Sequence, residues 1–349
     1  MKSKRIPSAV IGIALFAAAA AAQAGVVFGL PASGLQGGVF RWDAAPRTIA
    51  GNERSLDGGL RYAVSGGSMD AFRDQFSWTV LPSSTSFANA VQGAFNAWTV
   101  VDPVSKYGTA LQFVYDTTTG VVGRAGGGGA NSNGAEIDLI ATNDARFWDP
   151  GNTRRQGESW FNGIGDSTTL TSGVANYAYS RAISGADIYL NNNPGAVYTL
   201  DLFRRLLTHE IGHAIGLGDV EGTINPGIFI DDNFDATDAA GTLNNSWAAL
   251  VDPLDPSGSD LLARYSIGGA STAAGVNLLM KSNGLGISAS NPIDNPQPLT
   301  NDEFGTRQFL YPSLTPVPEP GTALMALGGL GLLVCRLRRR QSQAPAPRR

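Results

Sequence analysis

The chain has 349 residues, of which 43% are hydrophobic and 15% charged. That is enough apolar material for a sizeable core, so global disorder is excluded, and the length suits two domains or one elaborated domain. With the two chain ends set aside, residues 25–320 carry 16 basic and 29 acidic groups, a net of −13. Such a surface repels nucleic acid and anionic lipid.

The first element is an address label. Lys2, Lys4 and Arg5 precede an apolar run over residues 9–22, and Ala22-Gln23-Ala24 supplies an A-x-A site. This layout predicts a secretory signal peptide over residues 1–24, cut by signal peptidase after Ala24. The only cysteine is Cys335, so the exported domain has no internal disulfide.

Residues 25–75 alternate short apolar runs with Gly, Pro and Asn, which predicts strands or extended arms. Phe87, Ala90, Val91, Ala94, Phe95 and Trp98 recur at helical spacing and predict a helix over residues 87–101, ended by Asp102-Pro103. Residues 111–115 predict a strand, and the Gly/Asn run at 126–133 a loop. Residues 136–141 and 186–190 each predict a buried strand, with another over 175–179. Residues 198–216 predict the clearest helix, with Leu202, Phe203, Leu206, Leu207 and Ile211 on its buried face. Asp201 suits its first turn and Gly216 its stop. Residues 222–265 are an acidic insertion, and residues 300–311 predict a last helix with Phe304, Phe309 and Leu310 as its apolar positions.

The chemistry is concentrated in His209-Glu210-Ile211-Gly212-His213-Ala214-Ile215-Gly216-Leu217-Gly218-Asp219. Residues four apart on a helix share a face, so His209 and His213 can offer ring nitrogens to one ion. Glu210 is turned about 100° away; it can reach a water there but cannot join the line of ligands. Two imidazoles and one more N or O ligand suit Zn2+, with a fourth position for water. The next ligand lies six residues after His213, so the chain must turn sharply; Gly216 can take the positive φ this needs. Asp219 is then the natural third ligand. The chain's only two histidines fall at this spacing with Glu directly after the first, a coincidence rare by chance.

This segment resembles the metzincin signature H-E-x-x-H-x-x-G-x-x-H, with Asp219 in place of the third His. Carboxylate is a harder ligand than imidazole, which bears on affinity and metal identity. The family also places a methionine in a tight turn under the metal, and Met280 is the only methionine between the zinc segment and the tail. Ala94-Phe95-Asn96-Ala97-Trp98, Ala186-Asp187-Ile188-Tyr189-Leu190-Asn191 and Leu299-Thr300-Asn301-Asp302-Glu303-Phe304-Gly305 resemble elements of its matrixin-like branch. No Tyr follows Met280 closely and no cysteine switch is available. The resemblance implies an α+β fold: a twisted, mostly parallel sheet with one antiparallel edge strand, an active-site helix, a C-terminal helix and a cleft. Substrate peptide would lie along that edge, expected near residues 174–179, and residues 281–299 would wall the pocket beyond Met280.

Calcium is a second candidate cofactor. Asp231, Asp232, Asp235 and Asp238, with Asp252, Asp255 and Asp260, could bind it, but no D-x-[DN]-x-[DN]-G loop is present, and acidic clusters are usually solvated surface.

At the C-terminus, Val317-Pro318-Glu319-Pro320-Gly321-Thr322 leads into an apolar stretch over 322–335, then Arg336, Arg338, Arg339 and Arg340. The stretch is shorter than the ~20 residues of a comfortable spanning helix, and the arginines favour the cytoplasmic side. This layout resembles a PEP-CTERM sorting signal of Gram-negative bacteria. It implies a tail over 316–349 that anchors transiently in the membrane and is processed by an exosortase-type enzyme. The destination is then the cell surface or the medium, after export through the inner membrane. Residues 25–315 are left as one metzincin-like domain.

The expected function is a secreted zinc endopeptidase in which Glu210 serves metal-activated water against a protein or peptide substrate. The alternative is a surface or biofilm-matrix protein with a structural or vestigial zinc site. An intact Glu210 favours the enzyme, since a structural site needs no base.

Overall fold

Strands buried on both faces are a mark of parallel sheets covered on each side, and Ile137, Asp138 and Leu139, like residues 186–190, have almost no exposed surface. The computed structural model describes residues 27–28, 38–49, 51–101, 107–123, 133–163, 168–219, 228–229, 265–266, 279–280, 299 and 301–316. Within them a seven-stranded sheet is built from β1 (Phe40–Arg41), β2 (Leu60–Val64), β3 (Phe113–Tyr115), β4 (Ile137–Thr142), β5 (Gly157–Gly163), β6 (Thr168–Thr171) and β7 (Asn176–Asn191). Its spine runs β1-β7-β4-β2-β3 with every neighbour parallel, while β5 and β6 pair antiparallel with β7. The fold is α+β, with a mostly parallel sheet and few helices.

The α-helices among the described residues are α1 (Met69–Arg73), α2 (Ser84–Asn96), α3 (Leu200–Ala214) and α4 (Asn301–Leu310). Ser83 caps α2 by accepting from Ser86 N–H, and Thr199 caps α3 by accepting from Leu202 N–H, so each N-terminus has an orphan donor satisfied. Side chains alternate along a strand, and Ile137, Leu139, Ala186, Ile188 and Leu190 join one core cluster with Phe87, Val91, Phe203, Leu206 and Ile211 of α2 and α3. Phe95 stacks on Tyr62 at 4.0 Å, and Phe203 meets Phe76, Phe87 and Trp78 at 5.1–5.3 Å. Trp98, just past α2, donates through Nε1 to Thr208 O of α3 at 2.9 Å.

Three expectations are revised. Residues 176–179 and 186–190 belong to one 16-residue strand, β7, which changes partners along its length; Tyr179, at φ 56°, marks the irregular point. The antiparallel strand beside α3 is β5, not residues 174–179. Residues 176–182 are instead flanked by β6 and β1, and Tyr177 is buried there with its hydroxyl donating to Phe309 O. Helix α1 was not predicted. The acidic insertion, its calcium candidates and the 281–299 wall lie largely or wholly outside the described residues. Among the described residues no helix is long and apolar enough to cross a membrane; the 322–335 stretch is not one of them.

On the face away from the helices, Asp138 of β4 sits beside Asp187, its partner position in β7. Burial raises the Asp138 carboxyl to about 7, with the Asp187 charge adding to it, against the N–H groups of Val122 and Ala135 and the charge of Arg54. The folded state thus keeps a proton that the unfolded chain releases near pH 4, so Asp138 makes stability fall as pH rises from about 4 to about 7. Chemical denaturation of Asp138→Asn should lose that part of the slope, a difference of up to about 4 kcal/mol between the ends of the window. An unchanged slope would show that Asp138 is ionised throughout.

Candidate metal centre

Helix geometry puts His209 and His213 on one face of α3, and their surroundings decide which nitrogen each presents. His209 Nδ1 lies 2.7 Å from Leu279 O and His213 Nδ1 lies 2.9 Å from Leu217 O. A carbonyl only accepts, so in the neutral imidazoles each Nδ1 carries the proton and each Nε2 keeps a lone pair. The two Nε2 atoms are 3.0 Å apart. Asp219 Oδ1 sits 3.4 Å from His209 Nε2 and 3.3 Å from His213 Nε2 and is itself buried. A four-coordinate zinc with ligands at ~2.0–2.1 Å requires ligand separations of about 3.3–3.4 Å. The donor set suits a divalent ion and the two His–Asp separations match that spacing, with the His–His pair closer at 3.0 Å.

Electrostatics say the same of the metal-free cluster. Burial, helped by its neighbour His213, lowers His209 to about 4. Burial would also lower His213, but the carboxylates of Asp219 and Glu210 outweigh it and raise that imidazole to about 9. Burial works to raise Asp219, yet the two imidazoles hold it below the usual carboxylate range. The cluster favours a positive species at its centre.

The turn that brings Asp219 back is a Schellman motif. Gly216 N–H donates to His213 O and Leu217 N–H to Gly212 O, both at 2.9 Å, with Gly216 at φ 102°. A Cβ at Gly216 would also come within 2.3 Å of Phe40 O. Met280 packs against α3 at Gly212: a Cβ there would meet its Sδ at 2.5 Å and Trp98 at 2.8 Å. Met280 N–H donates to Glu303 of α4 at 3.0 Å. The segment 279–280 thus has two roles, fixing the His209 tautomer through its carbonyl and filling the space under the helix.

Glu210 points away from the ligand line, as its position on the helix requires. The Ser159 hydroxyl of β5 donates to Glu210 Oε2 at 2.7 Å, with the Glu210 carbonyl also within reach at 3.0 Å. Gly157 lets β5 close on it, because a Cβ there would sit 2.6 Å from Glu210 Oε1. Burial raises the Glu210 carboxyl to about 7, against the pull of His213 and Ser159. Sequence reasoning missed both β5 residues. Their only signal was a short segment bounded by Gly157 and Gly163.

Comparison with known protein families matches residues 316–341 to the PEP-CTERM protein-sorting motif. That motif marks a secreted, surface-sorted protein of a Gram-negative bacterium and implies recognition by an exosortase-type sorting enzyme. None of the curated proteins matches the chain.

Gly212→Ala should force Met280 or Trp98 to move and lower the stability of the metal-free protein by about 1–3 kcal/mol, read by chemical denaturation. Full stability in that variant would mean that Met280 does not pack against α3.

Proposed function

We propose that the chain is an exported zinc-dependent endopeptidase. The observation that carries this reading is the convergence of His209 Nε2, His213 Nε2 and Asp219 Oδ1 within 3.0–3.4 Å of one another, with a buried carboxylate, Glu210, on the adjoining residue. His209, His213 and Asp219 would hold the ion. Bound there, zinc would supply Lewis acidity toward a peptide carbonyl and make water a stronger nucleophile at neutral pH.

Glu210 accepts the proton of the attacking water and passes it to the leaving amine. Ser159 keeps that carboxylate oriented through its bond to Oε2, and Gly157 leaves room for Oε1 to stay clear of the strand. Among the described residues β5 pairs only with β7. An extended peptide would add main chain to main chain along the other side of β5, beside Glu210. The mostly parallel sheet, the antiparallel β5 and the position of Met280 support the metzincin-like reading.

The sorting motif supports a second reading, a surface or matrix protein whose zinc site is structural. A structural site closes all four positions with protein ligands, whereas three ligands converge here among the described residues.

The two readings separate in one assay. Purified protein should digest unfolded casein in a chelator-sensitive way. Glu210→Ala should keep one equivalent of zinc and lose about 10²–10⁴-fold in rate. Equal cleavage by Glu210→Ala would sink the mechanism, and one bound zinc without cleavage in the unmutated protein would favour the structural reading.

A further inference from the structure

The end of α3 leaves carbonyls that its own helix cannot satisfy. The exit turn meets Gly212 O and His213 O, and further groups meet the carbonyls that follow. Ala214 O accepts from Trp42 Nε1 at 3.0 Å, Ile215 O from the Tyr311 hydroxyl at 2.6 Å, and Leu217 O from His213 Nδ1 at 2.9 Å. Gly216 O accepts from the backbone N–H of Phe28 at 2.9 Å, and Val27 forms an antiparallel bridge with Leu217. The Phe28 carbonyl in turn accepts from Phe40 N–H at 2.9 Å, which ties this segment to β1. The Phe28 ring lies 5.7 Å from the His213 ring and 5.1 Å edge-on from Phe161 of β5.

Residues 27–28 therefore touch the metal centre twice. Their main chain fastens the turn three residues before Asp219, and the Phe28 ring covers one side of a ligating imidazole. We propose that Phe28 is a positioning residue for this centre, and that residues 27–28 are part of the metal site. With signal-peptide cleavage expected after Ala24, Phe28 is the fourth residue of the exported protein. Trimming of the N-terminus past that residue would loosen Asp219 and uncover His213. Metal retention then depends on how the protein is processed, with no pro-segment or cysteine needed. The inference rests on the metal-site reading.

The test uses purified protein, Phe28→Ala, Phe28→Leu and a form that begins at Gly29. Zinc affinity is measured by competition with a chromophoric chelator, the visible spectrum of the cobalt-loaded protein reports ligand geometry, and the melting temperature of the metal-free protein reports the fold. Phe28→Ala and the trimmed form should bind zinc about 10–100-fold more weakly, the range for lost support of a ligand. Their cobalt spectra should shift, while the metal-free melting temperature stays within a few degrees. Phe28→Leu should recover most of the affinity lost in Phe28→Ala. Variants that match the unmutated protein in affinity and spectrum would overturn this inference alone. So would a loss that only tracks a fall in metal-free stability and is not rescued by Leu. An unmutated protein that binds no zinc would overturn the metal-site reading as well.

Discussion

Two imidazole lone pairs and a carboxylate oxygen face one another across 3.0–3.4 Å, and the rest of the molecule is arranged to keep them there. Left to themselves these groups would turn to water or to other donors. Leu279 O and Leu217 O prevent this for the imidazoles by engaging the opposite ring nitrogen. For Asp219 the constraint is the backbone. The Schellman turn at Gly216 reverses the chain within a few residues, and groups from both ends of the described fold hold its carbonyls.

That constraint explains why distant elements meet here. Tyr311, just past α4, donates to Ile215 O and accepts from Trp42 N–H, so one hydroxyl joins the N-terminal strand, the C-terminal helix and the exit of α3. Arg307 of α4 donates to Trp98 O and Val100 O, and Glu303 holds Met280. Helix α4 is thus the common support of the Met280 turn, the end of α2 and the ligand turn. The sheet contributes from the other side, where β5 carries Ser159 and Gly157 against Glu210.

The legible part of the site was the part set by local geometry. The i, i+4 spacing of His209 and His213, the offset of Glu210 and the positive φ of Gly216 all follow from helix and turn stereochemistry over eleven residues. Asp219 was legible because only a short connection separates it from His213. Met280 could be placed only through the resemblance, since nothing local brings it under α3. Trp42, Tyr311, Phe28, Ser159 and Gly157 were not legible, because each reaches the site through tertiary packing across long sequence separations. The same limit shifted the edge strand. Residues 176–179 carry an alternating aromatic pattern and were an obvious strand, whereas β5 is half-buried along its whole length and has no sharp period to read.

The most direct measurement is X-ray absorption at the zinc edge on the purified protein, with metal content determined on the same sample. One zinc per chain is expected, in a four-coordinate shell of nitrogen and oxygen at about 2.0–2.2 Å, with two imidazoles and no sulfur. Absence of tightly bound metal, or a shell without the two-imidazole signature, would contradict the assignment of His209, His213 and Asp219 as one centre.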